Sequence, residues 1–211
     1  AQLSLVAKNA ARHKHNPAFI DDAVSTIENA VAKMNRLMAQ LQNADITGQN
    51  RPLNLASELR DVVAAKAAGN PSPLLTVEAD DLLVSAESDR LSAVVGHVVQ
   101  NAQDATPADG KVEVILRAQG GQAIVEICDT GTGMDEEFIK TRLFRPFDST
   151  KGLTGMGIGA YECREVISAL GGQVLVESEP GHGTRFRIIL PRLMNHPTPP
   201  VAPLTENAER V

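Results

Sequence analysis

The sequence has no apolar run of the roughly 18 to 20 residues that a membrane-crossing helix needs. Its first residues do not follow the basic-then-apolar order of a secretory signal. The chain as given is therefore expected to be soluble, without membrane contact of its own. Basic residues are in deficit. With 20 Lys and Arg against 26 Asp and Glu, the net charge of -6 argues against a nucleic-acid surface, which needs clustered Lys and Arg. Cysteine is scarce as well: Cys128 and Cys163 form no C-x-x-C and no metal spacing. They read as reduced, buried thiols of a cytoplasmic protein, although two cysteines still allow one disulfide. What remains is ordinary globular usage, 43% hydrophobic and 22% charged over 211 residues, enough for one sizeable core or one core and a smaller element.

Along the chain, Leu3, Val6, Ala10 and His13 recur at helical spacing until Asn16-Pro17 breaks the pattern. Ile20, Val24, Ile27, Val31, Met34, Met38 and Leu41 resume it, so residues 1–43 are expected to form an amphipathic helical hairpin. Two helices cannot bury such a stripe alone; they pack on the domain or on a second copy as a four-helix bundle. A polar linker is expected at 44–50. Helices are expected at 55–68, 87–105 and 158–170, and strands at 74–78 and 82–85. Hairpins are expected from 111–117 with 123–128 and from 173–177 with 185–190. This order suggests an α+β, two-layer α/β sandwich: one mixed sheet with helices on one face. The tail, 192–211, has four prolines and almost no apolar periodicity and is expected to be disordered.

Glycines cluster in D-T-G-T-G-M (129–134) and G-L-T-G-M-G-I-G (152–159). Such spacing suits backbone that approaches a ligand closely or takes a positive φ. Asp129 ends an apolar strand just before a glycine turn, where its carboxylate can accept from an exocyclic amine; alone, Asp before Gly is an ordinary turn. Gly155, Gly157 and Gly159 open a helix, whose free N–H groups suit a di- or triphosphate. Asn101, in H-V-V-Q-N-A, lies on the polar side of a helix, where an amide oxygen can join phosphates and water around Mg²⁺. Between the clusters, residues 143–154 carry Phe144, Phe147 and Lys151 and read either as a lid over a nucleotide or as a surface loop pinned by two phenylalanines.

In this fixed order the motifs resemble the catalytic core of sensor histidine kinases, within the ATPase superfamily of type II topoisomerases, clamp-type heat-shock chaperones and MutL proteins (the Bergerat ATP-binding fold). The likeness covers 51–191, with H-V-V-Q-N-A-Q-D-A-T as N box, D-T-G-T-G-M as first glycine box and F-R-P-F as F box. G-M-G-I-G is the second glycine box, and G-H-G-T-R-F-R-I-I-L-P (181–191) the last. The hairpin resembles the dimerisation and phosphotransfer bundle of these kinases. The wording of hairpin, N box and F box is most similar to the PEP-CTERM system kinases called PrsK.

The resemblance implies ATP and Mg²⁺ as ligands, with Asn101 on the metal, Asp129 on the adenine amine, and Gly131 and Gly133 shaping the adenine pocket. Thr184 would help hold adenine, while Gly155, Gly157 and Gly159 would line the phosphates, with Lys151 a candidate phosphate contact. It further implies a homodimer through the hairpin, a response-regulator partner, and a cytoplasmic location, free or as the cytoplasmic part of a membrane-anchored sensor. Two departures stand out. Many such kinases carry Asn where this chain has His97, and the phosphoacceptor pattern H-[DE]-x-[KR] is absent: His13 precedes Lys14-His15 and His15 precedes Asn16-Pro17. The expectation is a piece of a longer kinase whose phosphoacceptor lies outside it, so that it binds ATP without autophosphorylating. An autonomous ATPase of the topoisomerase or chaperone kind and a degenerate nucleotide-binding adaptor remain alternatives.

Overall fold

The computed structural model describes residues 16, 19–20, 23–27, 50–146, 148 and 157–193. Helix α1 (Leu55–Lys66) starts where the Asn54 side chain accepts from the Ser57 N–H at 3.1 Å, and buries Leu55, Ala56, Leu59 and Val62. Helix α2 (Ser88–Ala105) buries Leu91, Val94, Val95, Val98, Val99 and Ala102, a stripe at three- and four-residue spacing, and leaves His97 and Asn101 exposed. It stops at Thr106, whose hydroxyl turns back to the Ala102 carbonyl at 2.6 Å, with Pro107 next. A short helix α3 (Glu136–Thr141), for which the sequence suggests no element, begins where the Asp135 carboxylate accepts from the Phe138 N–H at 2.6 Å. Helix α4 (Gly159–Ala169) buries Cys163, Val166 and Ile167 and ends in a turn at Gly171, φ +74°.

The strands are β1 (Arg51–Asn54), β2 (Leu74–Val77), β3 (Leu83–Ala86), β4 (Val112–Gln119), β5 (Gln122–Asp129), β6 (Gln173–Glu179) and β7 (Gly183–Pro191). Five form the main sheet in the order β2-β4-β5-β7-β6, with β2 parallel to β4 and the other pairs antiparallel. The sheet is thus mixed and the α/β sandwich is as expected. One difference is that β1 and β3 pair with each other in a separate two-stranded sheet. The next residue after β1, Leu55, donates its N–H to Leu82 at 2.9 Å, and Leu193 donates to Leu83 at 2.7 Å, so the backbone around β3 is bonded away from the main sheet.

Alternation along the strands separates two faces. The helix-covered face is built in rungs: Leu116, Val125, Ile188 and Val174 form one, and Val114, Ile127, Phe186 and Val176 the next. The rung after that is Val112, Asp129, Thr184 and Ser178, so the apolar core turns polar at one end of the sheet. On the other face, Glu126 is 7% exposed and is flanked by guanidinium nitrogens of Arg117 at 2.7 Å and Arg187 at 3.3 Å. This pairing satisfies a carboxylate that burial alone would penalise. Cys128 and Cys163 are both free thiols, the first half-buried and the second buried. Burial, with a smaller push from Glu162, raises the Cys163 thiol to about 12, so it stays protonated.

The expected hairpin 1–43 lies outside the described residues except for 16, 19–20 and 23–27. Of these, 19–20 and 23–27 are helical and present Ile20, Val24 and Ile27 at 45%, 46% and 46% exposure. The expected tail lies outside them beyond Leu193. Ile127, 1% exposed at the centre of the sheet, tests the core. Ile127→Ala is expected to lower unfolding free energy by about 2–5 kcal/mol in urea melts, with an unchanged slope.

Candidate functional site

Asp129 is the last residue of β5 and belongs to the polar rung. One carboxylate oxygen accepts from the Gly131 N–H at 2.8 Å, and Thr184, directly opposite on β7, bonds it through backbone and side chain. Thr184 and Ser178 hydroxyls lie 3.0 Å apart, and Ser178 also donates to the Gly183 carbonyl at 2.7 Å and accepts from the Met134 N–H at 2.8 Å. Ser178 therefore ties the loop after β5 to the β6–β7 turn. Sequence reasoning missed it; the signal was a lone serine between Glu177 and Glu179, in register with Thr184. Burial raises the Asp129 carboxyl above its usual 3.8, against the lowering effect of the Gly131 and Thr184 hydrogen bonds.

The loop 129–134 passes over the end of α2: Thr132 N–H donates to the Ala105 carbonyl at 3.0 Å, and a Cβ on Gly131 would lie 2.4 Å from that oxygen. Gly133, at φ +65°, would place a Cβ 2.0 Å from the Glu179 carbonyl. Both glycines are thus required by close approach of backbone to backbone.

The same helix carries the other half of the site. His97, Asn101 and Ala105 succeed one another at four-residue intervals on one side of α2, spanning about 12 Å along its axis. A Cβ on Gly159, the first residue of α4, would lie 3.3 Å from the His97 Cβ and 3.6 Å from the Asn101 Nδ2. Gly157, at φ +63°, would place one 2.4 Å from the Asp148 carbonyl, so the residues either side of 149–156 meet. Asp148 is held by a bidentate Arg142 at 2.9 and 2.6 Å, which keeps its carboxyl below the usual range. Phe144 of the F box packs 6.4 Å from the Phe186 ring, with the Arg164 guanidinium 4.7 Å above it.

The structure thus gathers Asp129, Gly131, Gly133 and Thr184 by the last turn of α2, and Asn101 and Gly159 one turn earlier along the same helix. Lys151 and Gly155 lie outside the described residues. The donors fit a nucleotide: a half-buried carboxylate suits an exocyclic amine, and a glycine-led helix start beside an amide suits phosphates. They also fit Mg²⁺. Among the described residues no group of three His, Cys, Asp or Glu could hold a metal by itself. An ion here would bring phosphate and water as its other ligands, as Mg²⁺ does.

Residues 86–194 match the family model described as "Histidine kinase-, DNA gyrase B-, and HSP90-like ATPase". Sporulation kinase D of Bacillus subtilis is 33% identical over 110 residues, which cover 52% of this chain and 21% of that one. Sensor histidine kinase ZraS of Klebsiella oxytoca is 30% identical over 166 residues, 75% of this chain and 36% of the relative. The chain thus spans between a fifth and about a third of the length of these curated relatives. Among solved structures, the catalytic domain of histidine kinase ThkA is 27% identical with a TM-score of 0.59, over 68% of this chain and 96% of that domain. Full-length ShkA in complex with AMPPNP, 24% identical with a TM-score of 0.62 over 87% of this chain and 39% of that one, shares the fold.

The Asp129 shift gives a pH test. Because the folded carboxyl is raised above 3.8, its contribution to stability is fully present below that value and is lost as pH rises through the folded one. Carboxyl-carbon NMR of Asp129 should show a midpoint above 3.8, and in Thr184→Val, which removes a bond to the charged form, a midpoint higher still.

Proposed function

The chain belongs to the histidine kinase-, DNA gyrase B- and HSP90-like ATPase family, and from that membership we propose that it is the ATP-binding catalytic core of a two-component sensor histidine kinase. One observation carries the reading: α2 sets Asn101 against the glycine start of α4, while its last turn underlies the loop leaving Asp129. In this proposal the Asp129 carboxylate accepts from the adenine amine and Thr184 steadies that contact. Gly131 and Gly133 shape the adenine end. Asn101 presents its amide oxygen to Mg²⁺, and Gly155, Gly157 and Gly159 offer backbone to the phosphates, with Lys151 as a further contact. Magnesium, when bound, neutralises charge on the phosphates. Phosphoryl transfer asks the protein mainly for position and charge compensation, which backbone N–H groups and one amide can supply.

The γ-phosphoryl group passes, in this reading, to a histidine that none of the five here matches by motif, and then to an aspartate of a response regulator. ThkA, which shares this fold at 20% identity and a TM-score of 0.62, has been solved in complex with a response regulator, which supports a partner of that kind. Residues 1–43 are proposed as a dimerisation and phosphotransfer-like hairpin, and 51–191 as the catalytic domain. The exposed stripe Ile20, Val24 and Ile27 supports a homodimer through that hairpin. No helix among the described residues is long and apolar enough to cross a membrane, and a cytoplasmic setting is proposed. Within the family, the wording of the N and F boxes supports a kinase of the PrsK type.

Calorimetry with Mg²⁺ and ADP should show binding to the parent. Asn101→Ala and Asp129→Asn should each weaken it about 10- to 100-fold, the worth of a hydrogen bond to a charged group. Asp129→Asn should do so without lowering the melting temperature, since it removes a charge that burial disfavours. No binding by the parent would favour the adaptor reading. With γ-labelled ATP, the chain should acquire no acid-labile label; stable label would place an acceptor among its own histidines.

A further inference from the structure

Hydrogen-bonding contacts outnumber protons at the polar end of the sheet. Asp129 on β5, Thr184 on β7 and Ser178 on β6 meet there, each half-buried. Thr184 bonds the Asp129 carboxylate through its hydroxyl, and the same hydroxyl lies 3.0 Å from Ser178 Oγ. Ser178 Oγ donates to the Gly183 carbonyl at 2.7 Å and accepts from the Met134 N–H at 2.8 Å. A carbonyl can only accept, so the single proton of Ser178 is committed to Gly183. The Met134 N–H occupies one serine lone pair, and a lone pair is all that remains to face Thr184. Thr184 also has a single proton. It can give that proton to Asp129 or to Ser178, never to both.

From this we infer that Ser178 is a positioning residue of the base site: it receives the Thr184 hydroxyl proton while the Asp129 carboxyl is protonated, and gives it up to Asp129 when the carboxylate forms. The inference rests on the proposed ATP site. An ionised carboxylate is the stronger acceptor, because a hydrogen bond to a charged group is roughly twice as strong as a neutral one, so it draws the threonine proton away from the serine. A protonated Asp129 instead donates to Thr184 Oγ1, Thr184 donates to Ser178, and Ser178 donates to Gly183, so that every contact in the chain holds a proton. With Asp129 ionised there is one proton fewer, and the contact between Ser178 and Thr184 is the one left without. The bond from Thr184 to Ser178 thus exists only with the neutral carboxyl, and removing the serine favours the charged form. An adenine amine needs the charged form. Ser178 thereby sets the pH below which the base site ceases to take adenine.

In ¹H NMR of the parent without nucleotide, the Thr184 hydroxyl proton should show a nuclear Overhauser contact to the Ser178 Hβ protons below the Asp129 midpoint and lose it above; this measurement needs no variant. By carboxyl-carbon NMR, Ser178→Ala should move the Asp129 midpoint down, opposite to Thr184→Val, and Ser178→Thr, which keeps the hydroxyl, should restore the parent value. Asp104, Asp109, Lys111, Glu179 and His182 are the titratable groups of the segments around Asp129. They are common to parent and variants, so the difference in midpoint reports Ser178. Calorimetry with ADP over the same pH range should show the affinity of Ser178→Ala relative to the parent rising as pH falls through the parent's midpoint, a ratio in which the titration of ADP itself cancels. A midpoint unchanged or raised in Ser178→Ala, or a Thr184 hydroxyl contact that stays the same across the midpoint, overturns the inference. A lowered midpoint with a flat affinity ratio overturns the step from Ser178 to adenine. No ADP binding by the parent overturns the ATP-site reading, whichever way the nucleotide-free NMR falls.

Discussion

Helix α2 admits only one rotation about its axis, and the site follows from that constraint. Six of its apolar side chains are buried, among them Val94 and Val99 at 0% exposure and Leu91 and Val95 at 2%. Burying such side chains contributes roughly 1.5–3 kcal/mol each. Turning the helix to hide His97 and Asn101 would expose that stripe, at a cost far beyond any gain from the polar pair. The polar side is therefore fixed outward, between the loop after β5 and the start of α4. Asn101 faces outward there because the valines face the core.

The two groups of candidate residues are held by different means. At the Asp129 end the core itself changes character: strand alternation continues, but the rung after Ile127 and Phe186 is Asp129, Thr184 and Ser178. Polar groups at the edge of a packed face must be paired, and the Thr184, Ser178, Gly131 and Gly183 contacts pair them. At the other end Gly157 comes against the backbone of Asp148, where a Cβ would lie 2.4 Å from the carbonyl oxygen. Gly159 faces the His97 and Asn101 side chains, where a Cβ would lie 3.3 Å from the His97 Cβ and 3.6 Å from the Asn101 Nδ2. Side-chain hydrogen bonds at one end and a glycine-led helix start beside an amide at the other suit a ligand with a base at one extremity and phosphates at the other.

Much of this was legible in the sequence because periodicity reports burial. The α2 stripe, the β4–β5 hairpin over Gly120-Gly121 and the β6–β7 hairpin all follow from apolar spacing and turn glycines, and both turn glycines of the first hairpin have positive φ, +56° and +80°. The motif order singled out Asp129, Asn101 and Gly159, and α2 brings Asn101 against Gly159 and its last turn under the loop after Asp129. What escaped is what depends on contacts between distant segments. Ser178 is unremarkable until register places it beside Thr184. Gly131 and Gly133 also come against the Ala105 and Glu179 carbonyls, a requirement set by tertiary packing that no local pattern encodes. Helix α3 escaped because six residues are too few for a period, and its start is set by one Asp135 bond.

Burial of Asp129 has two opposite consequences. It raises the carboxyl, so an ionised Asp129 is a cost to the empty protein. The same low-dielectric setting strengthens any hydrogen bond donated to that carboxylate, because less water competes for it. A group that donates N–H there recovers the cost; a group that presents oxygen meets an ionised carboxylate with no proton between them. In the proposed reading this separates adenine, with its amine, from guanine, with a carbonyl at the same ring position. Discrimination by a donor that is present or missing is the strong kind, since the wrong partner sets an acceptor against a half-buried carboxylate. The selectivity thus comes from the same desolvation that makes Asp129 unfavourable on its own, and Thr184 and Gly131 limit that penalty to what the fold can carry.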